Sequence, residues 1–143
     1  MVMTLSRRRF TRAAVLAAAV LAGAACDENP TRPSDVEGQT WRLMSIERAG
    51  TASSTVADPS RYTIQFADAG HVNVRSDCNR CGGGYSLTGQ SMSIGALACT
   101  RAFCGEASLD FEYTRALQSA RSLARSADQL TIQCDGVVLR FQM

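Results

Sequence analysis

From Thr40 to the C-terminus, apolar side chains return at every second position in short runs separated by turn residues, the period that lines one face of a β-strand. Tyr62, Ile64 and Phe66 alternate, Asp68-Ala69-Gly70 makes a turn, and Val72 and Val74 alternate after it. Folding that hairpin about Ala69 sets Phe66 opposite Val72 and Ile64 opposite Val74, so both strands turn the same face inward. The same parity test at Gly89-Gln90 pairs Leu87 with Met92 and Tyr85 with Ile94. At Asp135-Gly136, a strong two-residue hairpin signal, it pairs Cys134 with Val137, Ile132 with Leu139 and Leu130 with Phe141. A strand around Trp41, Leu43 and Ser45 opens the series.

One segment departs from this period. Between Ser108 and Ser126, Leu109, Tyr113, Leu117, Ala120, Leu123 and Ala124 recur at spacings of three and four, which predicts an amphipathic helix packed on the core. Ser108 suits its N-cap, Asp110 and Glu112 its first turn, and Arg121 and Arg125 its C-terminal end. The expected fold is α+β, a curved antiparallel sheet of meander hairpins with one main helix covering an open face or end.

The chain has 143 residues, and the first 25 hold four arginines, no acid and the apolar run Ala13 to Ala22. That run is too short to span a bilayer and reads as an export signal. Ser6-Arg7-Arg8-Arg9-Phe10 resembles the twin-arginine export motif, with the general export route as the alternative. Leu21-Ala22-Gly23-Ala24-Ala25-Cys26 resembles a lipoprotein cleavage site, at which Cys26 becomes the new N-terminus and takes a lipid. Ordinary cleavage after Ala22-Gly23-Ala24 would instead leave Cys26 unmodified. The polar, proline-broken stretch to Gly38 reads as a flexible tether. Residues 1–25 are thus expected to be a signal, 26–38 a tether and 39–143 one domain, on the extracytoplasmic side of a membrane and held there by lipid.

Six cysteines follow from this address: Cys26, Cys78, Cys81, Cys99, Cys104 and Cys134. An oxidising compartment favours disulfides. Cys134 shares the inward parity of Leu130 and Ile132, where a free thiol behaves as a small hydrophobe. Extending the Gly89-Gln90 hairpin along its ladder brings Cys81 opposite Ala98, one residue from Cys99, and Gly82-Gly83-Gly84 is a natural place for a bulge that closes the gap. Cys81 therefore pairs with Cys99, leaving Cys78 for Cys104. Two other readings use the same residues: a zinc site of four thiolates, from C-x2-C followed by C-x4-C, and a redox-active Cys78-Asn79-Arg80-Cys81 in which Arg80 favours a thiolate.

Composition removes whole classes of chemistry. The chain has no lysine, which excludes a P-loop lysine and a Schiff base, and its one histidine, His71, is out of phase with Val72 and Val74 and should face solvent. Without residues 1–25 the balance is eleven arginines against thirteen acids, with no basic excess to suggest a nucleic-acid partner. No nucleophile, base and orienting group can be grouped, so neither an enzyme nor a cofactor is expected. Asp77 is expected to pair with Arg80 or Arg101 and fix a loop. The small-residue loop from Ala49 to Ser60 is a candidate contact surface. A small-molecule carrier is a third class, and a packed interior would argue against it.

Trp41-Arg42-Leu43, Asp77-Cys78-Asn79-Arg80, Gly84-Tyr85-Ser86, Leu97 to Cys104, Phe111 to Leu117 and Leu139-Arg140-Phe141 together resemble the META domain or HslJ-like family, small bacterial envelope proteins often made as lipoproteins. The resemblance covers nearly all of residues 39 to 143. Cys81 and Cys99 are an extra pair relative to better-known members. It implies a non-enzymatic envelope protein associated with heat response and, in some members, drug tolerance, without an agreed ligand or catalytic residue; the chain is expected to support envelope integrity under stress or to bind another envelope component. Asn79, Arg80 and Thr100 are the positions to watch, either for binding or, as turn residues do, for fixing the backbone.

Overall fold

The computed structural model describes residues 31–143. Its three predicted hairpins form in the registers that parity requires. In β3 (Tyr62–Ala67) and β4 (His71–Ser76), Phe66 faces Val72 and Ile64 faces Val74. In β5 (Asn79–Thr88) and β6 (Ser91–Ile94), Tyr85 faces Ile94 and Leu87 faces Met92. In β9 (Gln129–Cys134) and β10 (Val137–Gln142), Ile132 faces Leu139 and Leu130 faces Phe141.

The sheet is not open. Strand β1 (Thr40–Arg48) pairs with β3 on one side and with β10 on the other, from Arg42 opposite Gln142 to Arg48 opposite Val137. Eight antiparallel strands therefore close into a barrel in the cyclic order β1, β3, β4, β5, β6, β8, β9, β10, which replaces the expected α+β sheet with a helix on its open face. Two short strands add to its rim: β2 (Ser54–Thr55) on β1, and β7 (Ala98–Cys99) on β5. Closure is helped by a bulge in β1, where Met44 is the extra residue between Leu43 opposite Phe141 and Ser45 opposite Arg140. The bulge bends the strand and shifts its parity, so that Ile46, not Ser45, continues the buried series of Trp41 and Leu43.

The second departure has the same cause. The helix α2 covers only Asp110–Gln118, and Ala120–Ser126 is strand β8. A bulge at Arg121, between Ala120 opposite Cys134 and Ser122 opposite Gln133, puts Ala120 and Leu123 both inward at a spacing of three. That spacing imitates a helical stripe. The N-cap is Leu109 rather than the expected Ser108, whose Oγ still accepts from the Asp110 N–H at 3.2 Å, while Arg121 and Arg125 serve the strand rather than a helix end. Arg121 forks onto Asp135 across the β8–β9 ladder, and the Arg125 guanidinium lies 5.4 Å from the Trp41 ring centroid.

The interior is filled by Trp41, Leu43, Ile46, Ile64, Phe66, Leu117, Leu123, Ile132, Leu139 and their neighbours, with Tyr113 packed edge-on to Tyr62. Each pole has its own lid. α2 crosses the pole where β4 ends and β5 begins, and Tyr113, Ala116 and Leu117 point into the barrel from it. The opposite pole is closed by α1 (Pro33–Val36), whose Val36 is fully buried and whose carbonyl receives the Trp41 Nε1–H. Thr31 is buried as well, its hydroxyl accepting from Arg125 N, so residues 31–38 of the expected tether belong to the folded body. The expected signal at 1–25, Cys26 and the tether residues up to 30 lie outside the described residues. No helix among the described residues is long and apolar enough to cross a membrane.

Candidate functional site

The chemistry-bearing residues gather at the pole closed by α2. Register brings Cys81 opposite Cys99 and the two form a disulfide, the gap closing through one extra residue in Gly95-Ala96-Leu97 rather than in the glycine run itself. Gly83 is needed there, because a Cβ on it would stand 2.9 Å from the Ala96 carbonyl oxygen. Cys78 and Cys104 form the second bridge, with 5.5 Å between their Cα atoms. All four cysteines are thus taken in pairs, and the two of the C-x2-C motif belong to different bridges.

Between the bridges sits Asn79, 2% exposed, at the start of β5. Its carbonyl oxygen accepts from Thr100 Oγ1 at 3.0 Å and from the Ala102 N–H at 2.8 Å. Its amide donates to the Ala102 carbonyl and to Asp110 Oδ2, both at 3.1 Å. Thr100 completes the clamp: its hydroxyl accepts from Arg80 N, and its own N–H donates to the Arg80 carbonyl. Asn79 and Thr100 therefore serve the backbone of the 100–104 loop, and a buried amide with every site satisfied is a strong local fastener. Arg80 contributes its backbone, and its side chain is exposed.

Asp77 departs from its expected partners. It forms its ion pair with Arg61, accepts from the Tyr62 hydroxyl at 3.0 Å, and receives no charge from Arg80 or Arg101. Its φ of +61° places it in the left-handed region, which aspartate tolerates better than most residues. Tyr62 in turn accepts from the Leu109 N–H at 3.0 Å, so the Asp77 turn is tied to the start of α2. The loop from Ala49 to Ser60, expected as a contact surface, is partly committed: Ser54–Thr55 pair with β1 and Val56 is buried. His71 is exposed at the start of β4.

Cys134 has no disulfide partner among the described residues and lies partly buried beside Ser119 and Asp135. Burial, reinforced by the Asp135 charge, pushes its pKa up to about 12, so it is a packing residue rather than a nucleophile. Burial also raises the Tyr113 phenol well above its ordinary range.

The sequence reading missed two residues. Phe103 is 85% exposed and Phe111 is 73% exposed, on opposite walls of an open groove of about 550 Å³ between the clamped loop and α2. Phe111 was legible as an outward residue, since it falls two positions after Leu109 and two before Tyr113 on the helical stripe. Phe103 carried a weaker signal, an aromatic in a stretch with no alternation.

The described residues form a small antiparallel barrel, lidded at both poles and stapled by two disulfides around one presented loop. The META domain family model matches residues 34–143, and the chain belongs to that family. A search of curated proteins finds no match. Among solved structures, the chain is similar to a protein from Burkholderia xenovorans determined by NMR (20% identity, TM-score 0.63, 94% of this chain and 97% of that one). It is also similar to a second protein determined by NMR (22%, TM-score 0.59, 78% and 94%). A DUF4847 family protein from Bacteroides vulgatus matches at 14% identity with a TM-score of 0.58, over 77% of this chain and 95% of that one. These likenesses establish the fold.

Proposed function

We propose that this META-domain protein is a non-enzymatic, lipid-anchored envelope protein that supports envelope integrity or stress tolerance by binding another envelope component. The observation that carries the reading is the Asn79 clamp inside two disulfides: several strong constraints converge on a short loop whose most prominent side chain is an exposed phenylalanine. Ordering a loop in advance removes part of the entropy that binding would otherwise cost. The bridges suit an oxidising compartment, which is where the leader and Cys26 would deliver the chain. No observation favours the thiol-redox or zinc alternative, because Cys78 and Cys81 are not partners and none of the four sulfurs is a free thiolate. In-cell photo-crosslinking of the full chain, with envelope fractionation, tests the proposal. The expected result is a specific adduct in the membrane fraction; a chain that fractionates with the cytosol and crosslinks to nothing contradicts it.

A further inference from the structure

The two bridges around the Asn79 clamp differ in what each sulfur meets. Cys78 is exposed and Cys104 half-buried at the end of the clamped loop. Cys81 is 7% exposed, faces Val74 across the β4–β5 ladder and belongs to the barrel core. Its partner Cys99 is half-buried and lines the groove beside α2. A thiolate opens a disulfide by bonding to one sulfur while the electron pair of the broken bond leaves on the other, so access matters at the first and charge stabilisation at the second. In the inner bridge the reachable sulfur is Cys99, and the charge would fall on Cys81 among apolar side chains, where a thiolate is costly. The outer bridge meets both conditions.

Its surroundings also set which sulfur leaves. The Cys78 N–H donates to Cys104 Sγ at 3.3 Å, and Asn79 Nδ2, which also serves Ala102 and Asp110, stands 3.4 Å from the same sulfur. Cys78 Sγ receives no donor among the described residues. The Ala102 carbonyl oxygen lies near both sulfurs, 3.9 Å from Cys78 Sγ and 3.6 Å from Cys104 Sγ, so the donors decide between them. Negative charge is therefore better held on Cys104, the less exposed sulfur, and attack falls on Cys78, the more exposed one. The attacking thiol comes from another molecule, because Cys134 is partly buried with its pKa pushed up to about 12. Opening leaves the loop where it is: Asn79 still holds the N–H and the carbonyl of Ala102, and Thr100 still bonds Arg80. The two sulfurs thus stay placed to close again.

We infer that Cys78–Cys104 is a site of reversible thiol–disulfide exchange with a dithiol reductant of the envelope, and that Cys81–Cys99 is a fixed part of the fold. One thiolate of the reductant bonds to Cys78 Sγ, the Cys78–Cys104 bond breaks, and Cys104 leaves as a thiolate that takes a proton from water. The reductant's second thiol, giving its proton to water, then closes onto its first sulfur. Cys78 is released as a thiolate and protonated, and the reductant is left as its own disulfide. Two electrons and two protons pass to the bridge. The domain is the substrate of this exchange and not its catalyst. The reductant's location rests on the export reading above; the order of opening does not.

The test uses the unaltered mature chain extracted from the envelope, graded dithiothreitol, alkylation by iodoacetamide and peptide mass mapping. The expected result is labelling of Cys78 and Cys104 at dithiothreitol concentrations roughly tenfold or more below those that label Cys81 and Cys99, with Trp41 fluorescence still native. A brief exposure to glutathione followed by N-ethylmaleimide should leave glutathione on Cys78 and maleimide on Cys104. Opening of both bridges together, labelling only after the native fluorescence is lost, or glutathione on Cys104 overturns the inference. A dithiothreitol pulse to intact cells, quenched in acid before alkylation, separates the inference from the export reading. Reduction confined to Cys78 and Cys104 supports both. All four sulfurs reduced before the pulse overturn the export reading and with it the reductant assigned here. An outer bridge that survives a pulse long enough to open the inner one overturns the exchange alone.

Discussion

Removing the outer disulfide with Cys78→Ala and Cys104→Ala should destabilise the barrel by a calculable amount. Taken alone, a bridge across 26 residues limits the unfolded chain by about 3.5 kcal/mol at 25 °C. The inner Cys81–Cys99 bridge lies within that span, so part of the restriction is already present. With the inner bridge intact, the outer one closes a ring of only three residues on one side and five on the other. The same expression for roughly nine residues gives about 2.6 kcal/mol. Little packing is lost, since Cys78 is exposed and Cys104 half-buried. Urea denaturation followed by Trp41 fluorescence should show a loss near 2.6 kcal/mol, and thermal melting a fall of about 10 °C. The Asn79 bonds should keep the 100–104 loop in place. A loss under about 1 kcal/mol would refute the unfolded-state argument, and a folded variant whose loop amides exchange freely would refute the clamp.

Other outcomes follow from the same structure. Asn79→Ala leaves Ala102 and Asp110 without their buried partners and should cost about 2 to 4 kcal/mol in chemical denaturation, more than any exposed loop substitution. Gly83→Ala forces a methyl against the Ala96 carbonyl and should cost roughly 1 to 3 kcal/mol, reported by the melting temperature. Cys134, with its thiol pKa near 12, should resist alkylation at pH 8 until the protein is unfolded; rapid labelling of the native chain would contradict its burial. Arg140 holds the Glu47 carboxyl and Arg121 the Asp135 carboxyl, chiefly through hydrogen bonds, below their ordinary values of 4.5 and 3.8. The contribution of these pairs is present above those values and is lost as pH falls through the lower folded ones. Arg140→Ala and Arg121→Ala should therefore lower the neutral plateau slightly and leave stability at the acid end nearly unchanged, so that the fall below about pH 4.5 becomes shallower.

Hairpins such as that of Ile64 and Val74 were legible because turn and parity are both local. Barrel closure was not, because the pairing of β1 with β10 joins opposite ends of the domain and depends on a bulge at Met44 that alternation alone does not announce. The Arg121 bulge misled in the other direction, giving a strand the spacing of a helix. Cys81 and Cys99 could be brought within one residue by ladder counting, and only the extra residue before Leu97 was misplaced. The Asn79 clamp was half visible: its turn-forming character was plain, but its reach to Ala102 and Asp110 is tertiary. Val36 shows the limit of composition, since a proline-broken polar stretch still supplied one fully buried side chain to close a pole.

The central claim is an exported chain, anchored through Cys26 and stapled twice around a presented loop. Intact mass of the protein extracted from the envelope, before and after reduction, tests it most directly. The account predicts residues 26–143 carrying a lipid adduct, with two disulfides that reduction opens and one thiol, Cys134, already free. A mass that retains residues 1–25, or one unchanged by reduction, would contradict it.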